Sequence, residues 1–283
     1  MREFIVKARE NLKNIYPQKE SDAIINILLE HVGINKTTRF ANPSQTLTGE
    51  QTKWLYSALN RLLKHTPIQH IIGYVDFYDT KISVNKHTLI PRPETEELVD
   101  IVIAKYGDLG KLNVLDLCTG SGCIAIALAK KLKSAFVEAV DLSEDALNMA
   151  TKNAIQNKVD VEFKNLDLLN AEYPDFGNKK YDIIISNPPY IPNKQRNALD
   201  KNVILHEPEM ALFVPDEHPI IFYEKIALLT DKLLMDKGVL FLETHEDFAM
   251  QVVNFIDENT KLNAEVRTDL FGKKRFVISQ FTS

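Results

Sequence analysis

The order of elements along this chain predicts an α/β protein: a mostly parallel sheet that ends in an antiparallel hairpin, preceded by a small helical bundle. Three observations carry that prediction. Residues 1 to about 65 read as helices only, with apolar residues recurring at helical spacing. From Leu112 to about residue 256, short β-branched runs alternate with helical stripes, the rhythm of a parallel sheet with crossover helices. The last two runs, AEVRTDLF and KRFVISQF, alternate in twos and are joined near Gly272, which makes them a hairpin added to that sheet.

Within the bundle, Phe4, Ile5, Ala8, Leu12 and Ile15 mark a first helix. Ile24, Ile27, Leu28 and Leu29 mark a second, with Ser21 as its expected cap and Gly33 as its stop. Thr48-Gly-Glu-Gln51 is a capping box for a third, whose buried stripe is Trp54, Leu55, Ala58, Leu59, Leu62 and Leu63. These stripes read as the core of the bundle. Pro67 ends the helices, and the alternation from there to Ile90, with Gly73 near its middle, suits a β-hairpin. A helix then starts at Pro93 or Thr95 with an acidic first turn, in which Glu94 suits the helix dipole. Arg92, between two prolines, can fix a carboxylate or a neighbouring loop, or form a structural ion pair.

Two stretches carry chemistry. In LNVLDLCTGSGCIAIALA a strand from Leu112 to Leu117 runs through Cys118, Thr119, Gly120, Ser121 and Gly122 into a helix. Glycines let a backbone approach a ligand closely, and the helix start offers unpaired N–H groups. Asp141 ends the next strand, about twenty residues on, where an acid can take both hydroxyls of a ribose. With Asp116 and Asp167 it gives three acids ending three successive strands, which points to a shared ligand, N-capping being the plain alternative for each.

The second stretch is DIIISNPPY, Asp182 to Tyr190. Three isoleucines suit a strand buried on both faces, and Asn187-Pro188-Pro189-Tyr190 closes it with a stiff loop, because neither proline has an N–H and both have φ fixed. The loop presents a carboxamide, a proline carbonyl and an aromatic ring at a strand's carboxyl end, where open α/β sheets bind ligands. The fitting ligand is a planar NH2 on an sp2 carbon: the Asn187 oxygen and the Pro188 carbonyl accept its hydrogens and Tyr190 packs on its flat face. Such a nitrogen is a poor nucleophile, and two acceptors would orient it and stabilise the positive charge that develops as it attacks an electrophile. Beyond this loop, residues 196 to 219 are irregular and could cover the site. His206 and Glu207 read there as solvated loop charges, with a catalytic role as the alternative.

Composition narrows the class. The 283 residues suffice for one large domain and a smaller one, and 45% hydrophobic with 26% charged residues is ordinary for a soluble globular protein. A net charge of −5 argues against a protein that tracks along nucleic acid by phosphate contacts. The two cysteines, Cys118 and Cys123, lack companions at ligand spacing and read as free thiols in a reducing compartment. The histidines show no metal-binding spacing, so no metal is expected. With acidic Glu3 and Glu10 near the start and no long apolar run, neither a membrane span nor a leader is expected, and the expected location is the cytoplasm.

Taken together, IPRPETEELV, LDLCTGSGCIAIALA, DLSEDALNMATKNA, DIIISNPPYIP, HEPEMAL and DLFGKKRFVI resemble the HemK-type protein glutamine N5-methyltransferases, over roughly residues 67 to 281. The resemblance implies a class I S-adenosylmethionine-dependent methyltransferase fold with a mostly parallel seven-stranded sheet, and S-adenosylmethionine as cofactor. It implies that the substrate is the Gly-Gly-Gln glutamine of class 1 peptide chain release factors; no direct nucleic-acid or membrane partner is expected, and the expected state is a monomer. On this resemblance Cys118 to Gly122 would hold the methionine part of the cofactor, Asp141 its ribose, and Asp167 and Leu168 would border the adenine, with Asn187 close by. Asn187, Pro188, Pro189 and Tyr190 would receive the glutamine, with Asn187, Pro188 and Tyr190 catalytic. The expected domains are a substrate-docking bundle over residues 1–65, a β-hairpin linker over 66–90 and a methyltransferase domain over 91–283. Cys118 stands where the family commonly has glycine, and Leu168 where some members have tryptophan.

Three other readings compete. An adenine or cytosine amino-methyltransferase would use the same loop on an exocyclic amine, but would need a surface for the nucleic-acid backbone. A nicotinamide-dependent oxidoreductase explains Gly120, Gly122, Ala125 and Asp141 and leaves the Asn-Pro-Pro-Tyr loop without a task. A binding module with a degenerate catalytic domain would be signalled by loss of Asn187 or Gly120, and both are present.

Overall fold

In the computed structural model, which describes residues 1–42 and 44–281, the chain divides into two units, Met1–Gly73 with Asp200–His206 and Tyr74–Leu199 with Glu207–Ser283. Residue 43 of the expected bundle and residues 282–283 of the expected methyltransferase domain lie outside the described residues. Among the described residues no helix is long and apolar enough to cross a membrane.

The first unit holds α1 (Arg2–Leu12), α2 (Gln18–His31), α3 (Lys36–Ala41), α4 (Gly49–Leu62) and α5 (Ile68–Ile72). Phe4, Ala8 and Leu12 pack with Ile24, Leu28 and Leu29 and with Leu55, Leu59 and Leu62 in one core. The capping box at Thr48 and Gln51 forms as expected. Ser21 is not a cap. Pro17 sits at the N-cap of α2, so the helix begins a turn earlier; Ser21 is buried inside it, and its hydroxyl donates to the Tyr16 carbonyl. The alternation after Pro67 is also helical at first: α5 runs to Gly73, whose φ of 86° ends it in a left-handed turn.

The second unit begins with the hairpin β1 (Tyr74–Phe77) and β2 (Thr80–Ser83), then α6 (Pro93–Tyr106), β3 (Asn113–Leu117), α7 (Cys123–Lys131), β4 (Phe136–Asp141), α8 (Glu144–Asn157), β5 (Glu162–Asn165) and β6 (Tyr181–Ser186). Two short strands, β7 (Ile191–Pro192) and β8 (Phe213–Val214), pair in parallel; α9 (Lys201–His206), between them in sequence, belongs to the first unit. The chain closes with α10 (Ile221–Leu233), β9 (Leu234–Glu243), α11 (Ala249–Asn259), β10 (Leu262–Thr268) and β11 (Lys274–Phe281). Seven strands form one sheet in the order β10-β11-β9-β6-β3-β4-β5, parallel except at β10 and β11.

The isoleucine run of β6 explains its place in the middle. Ile183 and Ile185 pack with Val99, Val102 and Ile126 on one face, and Ile184 packs with Ile226, Ala227 and Ile256 on the other. All three isoleucines are fully buried. The registers Leu117↔Val140, Leu117↔Ser186 and Ser186↔Leu242 bring the carboxyl ends of β3, β4, β6 and β9 to one edge. The hairpin is tied to α8 by two carboxamides. Asn153 accepts from the Ser83 N–H (2.8 Å) and donates to the carbonyls of Ser83 and Ser121 (both 3.0 Å), while Asn157 accepts from the Lys81 N–H (3.2 Å) and donates to the Lys81 carbonyl (2.9 Å).

Candidate active site at the carboxyl edge of the sheet

A cavity of ≈ 270 Å³ opens at this edge. Its wall brings together Gly120, Asp141, Asp167, Leu168, Asn187 and Pro189, which lie far apart in sequence, along with the rest of the glycine loop from Cys118 to Ser121. Gly122, Pro188 and Tyr190, also expected at the site, are not among the lining residues. Each parallel strand contributes its last residues, so the edge collects side chains that the strand order, not the chain order, makes neighbours.

The glycine loop turns sharply because three of its residues are left-handed: Cys118 (φ 61°), Gly120 (φ 55°) and Gly122 (φ 80°). Cys118 holds a conformation natural to glycine, so a side chain is carried there at the cost of backbone strain. Burial raises its thiol well above the ordinary cysteine range, so this sulfur stays protonated. Gly122 starts α7 and faces Ala150 so closely that an added Cβ would lie 2.9 Å from that residue's Cβ. Asp141 braces the loop by accepting from the Gly120 N–H (2.7 Å) and the Ser143 N–H (2.9 Å). Each of its oxygens keeps a further lone pair for a hydroxyl donor. Asp167 accepts from the Leu169 N–H (3.1 Å) and the Asn170 side chain (2.8 Å), beside the buried Leu168.

Asp116 does not join the other two acids. It is fully buried beneath the loop, and its Oδ2 accepts from the Thr119 hydroxyl (2.6 Å) and the Ala125 N–H (3.2 Å). That is the capping role, played from a strand. Its Oδ1 has no hydrogen-bond partner, and burial pushes the carboxyl up to about 7. Because the folded state holds this proton more tightly than the unfolded chain, stability falls as pH rises from about 4 to about 7, by up to about 1.4 kcal/mol per pH unit, and is flat above. In Asp116→Asn this contribution is expected to vanish. Thermal unfolding of both proteins between pH 4 and 8 checks it, and parallel pH curves would refute it.

Asn187 belongs to a chain of hydrogen bonds that the sequence did not reveal. Its Nδ2 donates to Thr95 Oγ1 (3.1 Å), and the Thr95 hydroxyl donates to Glu243 Oε2 (2.7 Å). A hydroxyl has one proton, so with that proton given to Glu243 it can only accept from Asn187. The carboxamide is therefore oriented with Nδ2 inward. Tyr190 donates its hydroxyl to Glu243 Oε1 (3.1 Å) and sets its ring edge-on to His245, 6.1 Å between centroids. Tyr223 donates to the Glu243 backbone carbonyl (3.2 Å). Burial raises both the Glu243 carboxyl and the Tyr190 hydroxyl above their ordinary values; hydrogen bonds from Thr95 and Tyr190 offset part of the rise at Glu243. A sequence signal for Glu243 exists in hindsight: it is the one acid closing the apolar strand VLFLE, next to β6.

The segment expected to be irregular holds α9 and β8, and Glu207 within it is anchored rather than solvated. Glu207 is buried and accepts from Arg92 Nη2 (2.5 Å) and from the Ile90 N–H (3.0 Å), so Arg92 forms a structural ion pair that holds a neighbouring loop. His206 is partnered too, its Nε2 lying 3.1 Å from the Lys64 carbonyl. The reading of Glu207 as a solvated loop charge fails, and His206 is not unpartnered, because the partners lie 115 and 142 residues away in sequence. Glu94 sits in the acidic first turn of α6, where its charge adds to the upward push on Glu243.

Comparison with known proteins agrees with this architecture. Residues 98–213 match the methyltransferase small domain and residues 3–73 the PrmC N-terminal domain. A release factor glutamine methyltransferase of Flavobacterium psychrophilum is 38% identical over 95% of this chain and 95% of its own length. One of Bacteroides thetaiotaomicron is 38% identical over 95% and 96%. Among solved structures, a methyltransferase from Pyrococcus furiosus superposes with a TM-score of 0.51 at 16% identity, covering 71% of this chain and 88% of that one, which shows a shared fold.

Proposed function

We propose, for a chain that belongs to the release factor glutamine methyltransferase family, that it transfers a methyl group from S-adenosylmethionine to the side-chain amide nitrogen (N5) of the Gly-Gly-Gln glutamine in class 1 peptide chain release factors. The observation that carries this reading is the cavity shared by two stretches: the glycine loop with Asp141 on one side, and Asn187 with Pro189 on the other. A cofactor held by the first lies beside an acceptor held by the second.

The residues present fit such a cofactor. The left-handed loop from Cys118 to Gly122 leaves room for the methionine part. Asp141 has lone pairs for ribose hydroxyls, and Asp167 and Leu168 offer a polar and an apolar border for a base. When bound, the sulfonium supplies the methyl group, the positive charge and the leaving group. The chain's own task is alignment. Asn187 Oδ1 and the Pro188 carbonyl accept the two hydrogens of the acceptor NH2, point its lone pair at the methyl group and stabilise the charge that develops on nitrogen. That nitrogen is acidic after transfer and releases its proton without a dedicated base. Tyr190, its hydroxyl held by Glu243, completes the acceptor loop.

The first unit is the proposed docking element for the protein substrate. A chain lacking residues 1–65 should still bind S-adenosylmethionine and lose affinity for the release factor. The free thiols agree with a reducing compartment, and we place the reaction in the cytoplasm. Nucleic-acid amino groups are the rival acceptors, disfavoured by the negative net charge. The deciding experiment gives the protein labelled S-adenosylmethionine with unmodified release factor in one reaction and with DNA or RNA in another, and maps the label by mass spectrometry. Label on the Gly-Gly-Gln glutamine is expected; label on nucleic acid would overturn the substrate.

A further inference from the structure

We propose that Thr95 and Glu243 are positioning residues that make the site select a carboxamide over a carboxylate acceptor, by locking Asn187 with its oxygen toward the acceptor. The inference rests on the reading of Asn187 as the acceptor-binding residue given above.

Glu243 is 1% exposed and Thr95 2%, so water does not share in their hydrogen bonds. An ionised carboxylate only accepts, and both Glu243 oxygens are engaged by hydroxyls, from Thr95 and from Tyr190. The polarity of the chain is thus set at Glu243 and runs outward: carboxylate, then the Thr95 hydroxyl, then the Asn187 NH2, then the Asn187 oxygen at the cavity. Burial pushes the Glu243 carboxyl above its ordinary value, and the hydrogen bonds from Thr95 and Tyr190 together with the Arg275 charge pull it back toward the ionised form. Without this chain an asparagine amide is nearly symmetric in shape and could present either end.

The presented end decides what can bind. A glutamine acceptor brings an N–H to the Asn187 oxygen. A glutamate brings only lone pairs, so oxygen would face oxygen with no proton between them. Sites built to hydrogen-bond an NH or OH reject analogues lacking it by large factors, because the site's own polar group is left unpaired. The Glu243 charge, relayed through two hydrogen bonds, also polarises the Asn187 oxygen toward the nitrogen that becomes positive during transfer.

Thr95→Val removes the hydroxyl at nearly constant volume and frees the Asn187 amide to turn. The test measures, for the wild type, Thr95→Val, Thr95→Ser and Glu243→Gln, the rate of methyl transfer to intact release factor. It also measures the affinity of each for that factor and for its form with glutamate in place of the acceptor glutamine. Thr95→Val is expected to slow transfer about tenfold or more, the effect of one lost hydrogen bond, and to shrink the glutamine-over-glutamate preference in binding about tenfold. Glu243→Gln should act in the same direction, and Thr95→Ser should restore both quantities. S-adenosylmethionine affinity should stay within a few-fold throughout. If valine disturbs packing, Thr95→Ala poses the same question with a smaller side chain. An unchanged glutamine-over-glutamate ratio in Thr95→Val or Thr95→Ala, whatever the rate, would reduce Thr95 to a structural residue and overturn the inference. A wild type that leaves the release factor unmethylated would overturn the underlying reading instead.

Discussion

Asn187→Ala is expected to lower methyl transfer about 10²–10³-fold, the usual effect of deleting one preorganised polar contact to a developing charge. The affinity for S-adenosylmethionine should change only a few-fold. The alanine keeps the turn, since Pro188 and Pro189 fix it, and removes the acceptor that orients the substrate NH2. Single-turnover transfer and equilibrium binding of the cofactor, measured on the same preparation, separate the two effects. Equal losses in both would mean that Asn187 serves the cofactor and not the acceptor.

Gly122→Ala should be the most damaging small change in the cofactor loop. The residue stands at φ 80°, and its added Cβ would lie 2.9 Å from Ala150 Cβ and 3.1 Å from Ile126 Cδ1. Backbone strain of about 1–2 kcal/mol adds to an overpacking cost of about 1–3 kcal/mol, so a loss of roughly 2–5 kcal/mol in unfolding free energy is expected, together with weakened cofactor binding. Gly120→Ala is the control: it is also left-handed, at φ 55°, but nothing lies within 4 Å of its added Cβ. It should lose only about 1 kcal/mol. Denaturant unfolding of the two variants compares them directly, and equal losses would show that the contact with α8 is not what demands glycine at 122.

Much of this site could be read from short stretches, because the physics there is local. A proline pair after three isoleucines ends a buried strand in any context, and glycines between a strand and a helix make a tight turn. Asn187 and Pro189, the glycine loop from Cys118 to Ser121, Asp141 and Asp167 therefore reach the cavity, whereas Gly122, Pro188 and Tyr190 do not line it. Asp116 shares with Asp141 and Asp167 an expected place at a strand end but not the cavity. Asp141 and Asp167 stand at the end of β4 and just past β5, whereas Asp116 is the last residue but one of β3, and that offset turns its carboxylate beneath the loop. Thr95 and Glu243 could not be placed from the sequence, being 92 and 56 residues from Asn187 along the chain and linked to it only through the order of strands β6 and β9. A threonine in the first turn of a helix and a glutamate at a strand end have ordinary local explanations. Their shared role is a property of the sheet.

The two carboxamides that tie β2 to α8 also determine what the hairpin can do with its neighbours. A strand that pairs on one side only leaves a row of open N–H and C=O groups on the other, and such a row is a template on which a foreign chain can add itself. In β2 the outward groups are those of Lys81 and Ser83, and Asn157 and Asn153 take both the N–H and the C=O of each. The fit is metric. Four residues of helix advance about 6 Å and two residues of strand about 6.6 Å, so asparagines four apart on α8 meet alternate residues of β2. One face of a helix thus stands in for the missing strand and closes the outer edge of β2 without lengthening the sheet.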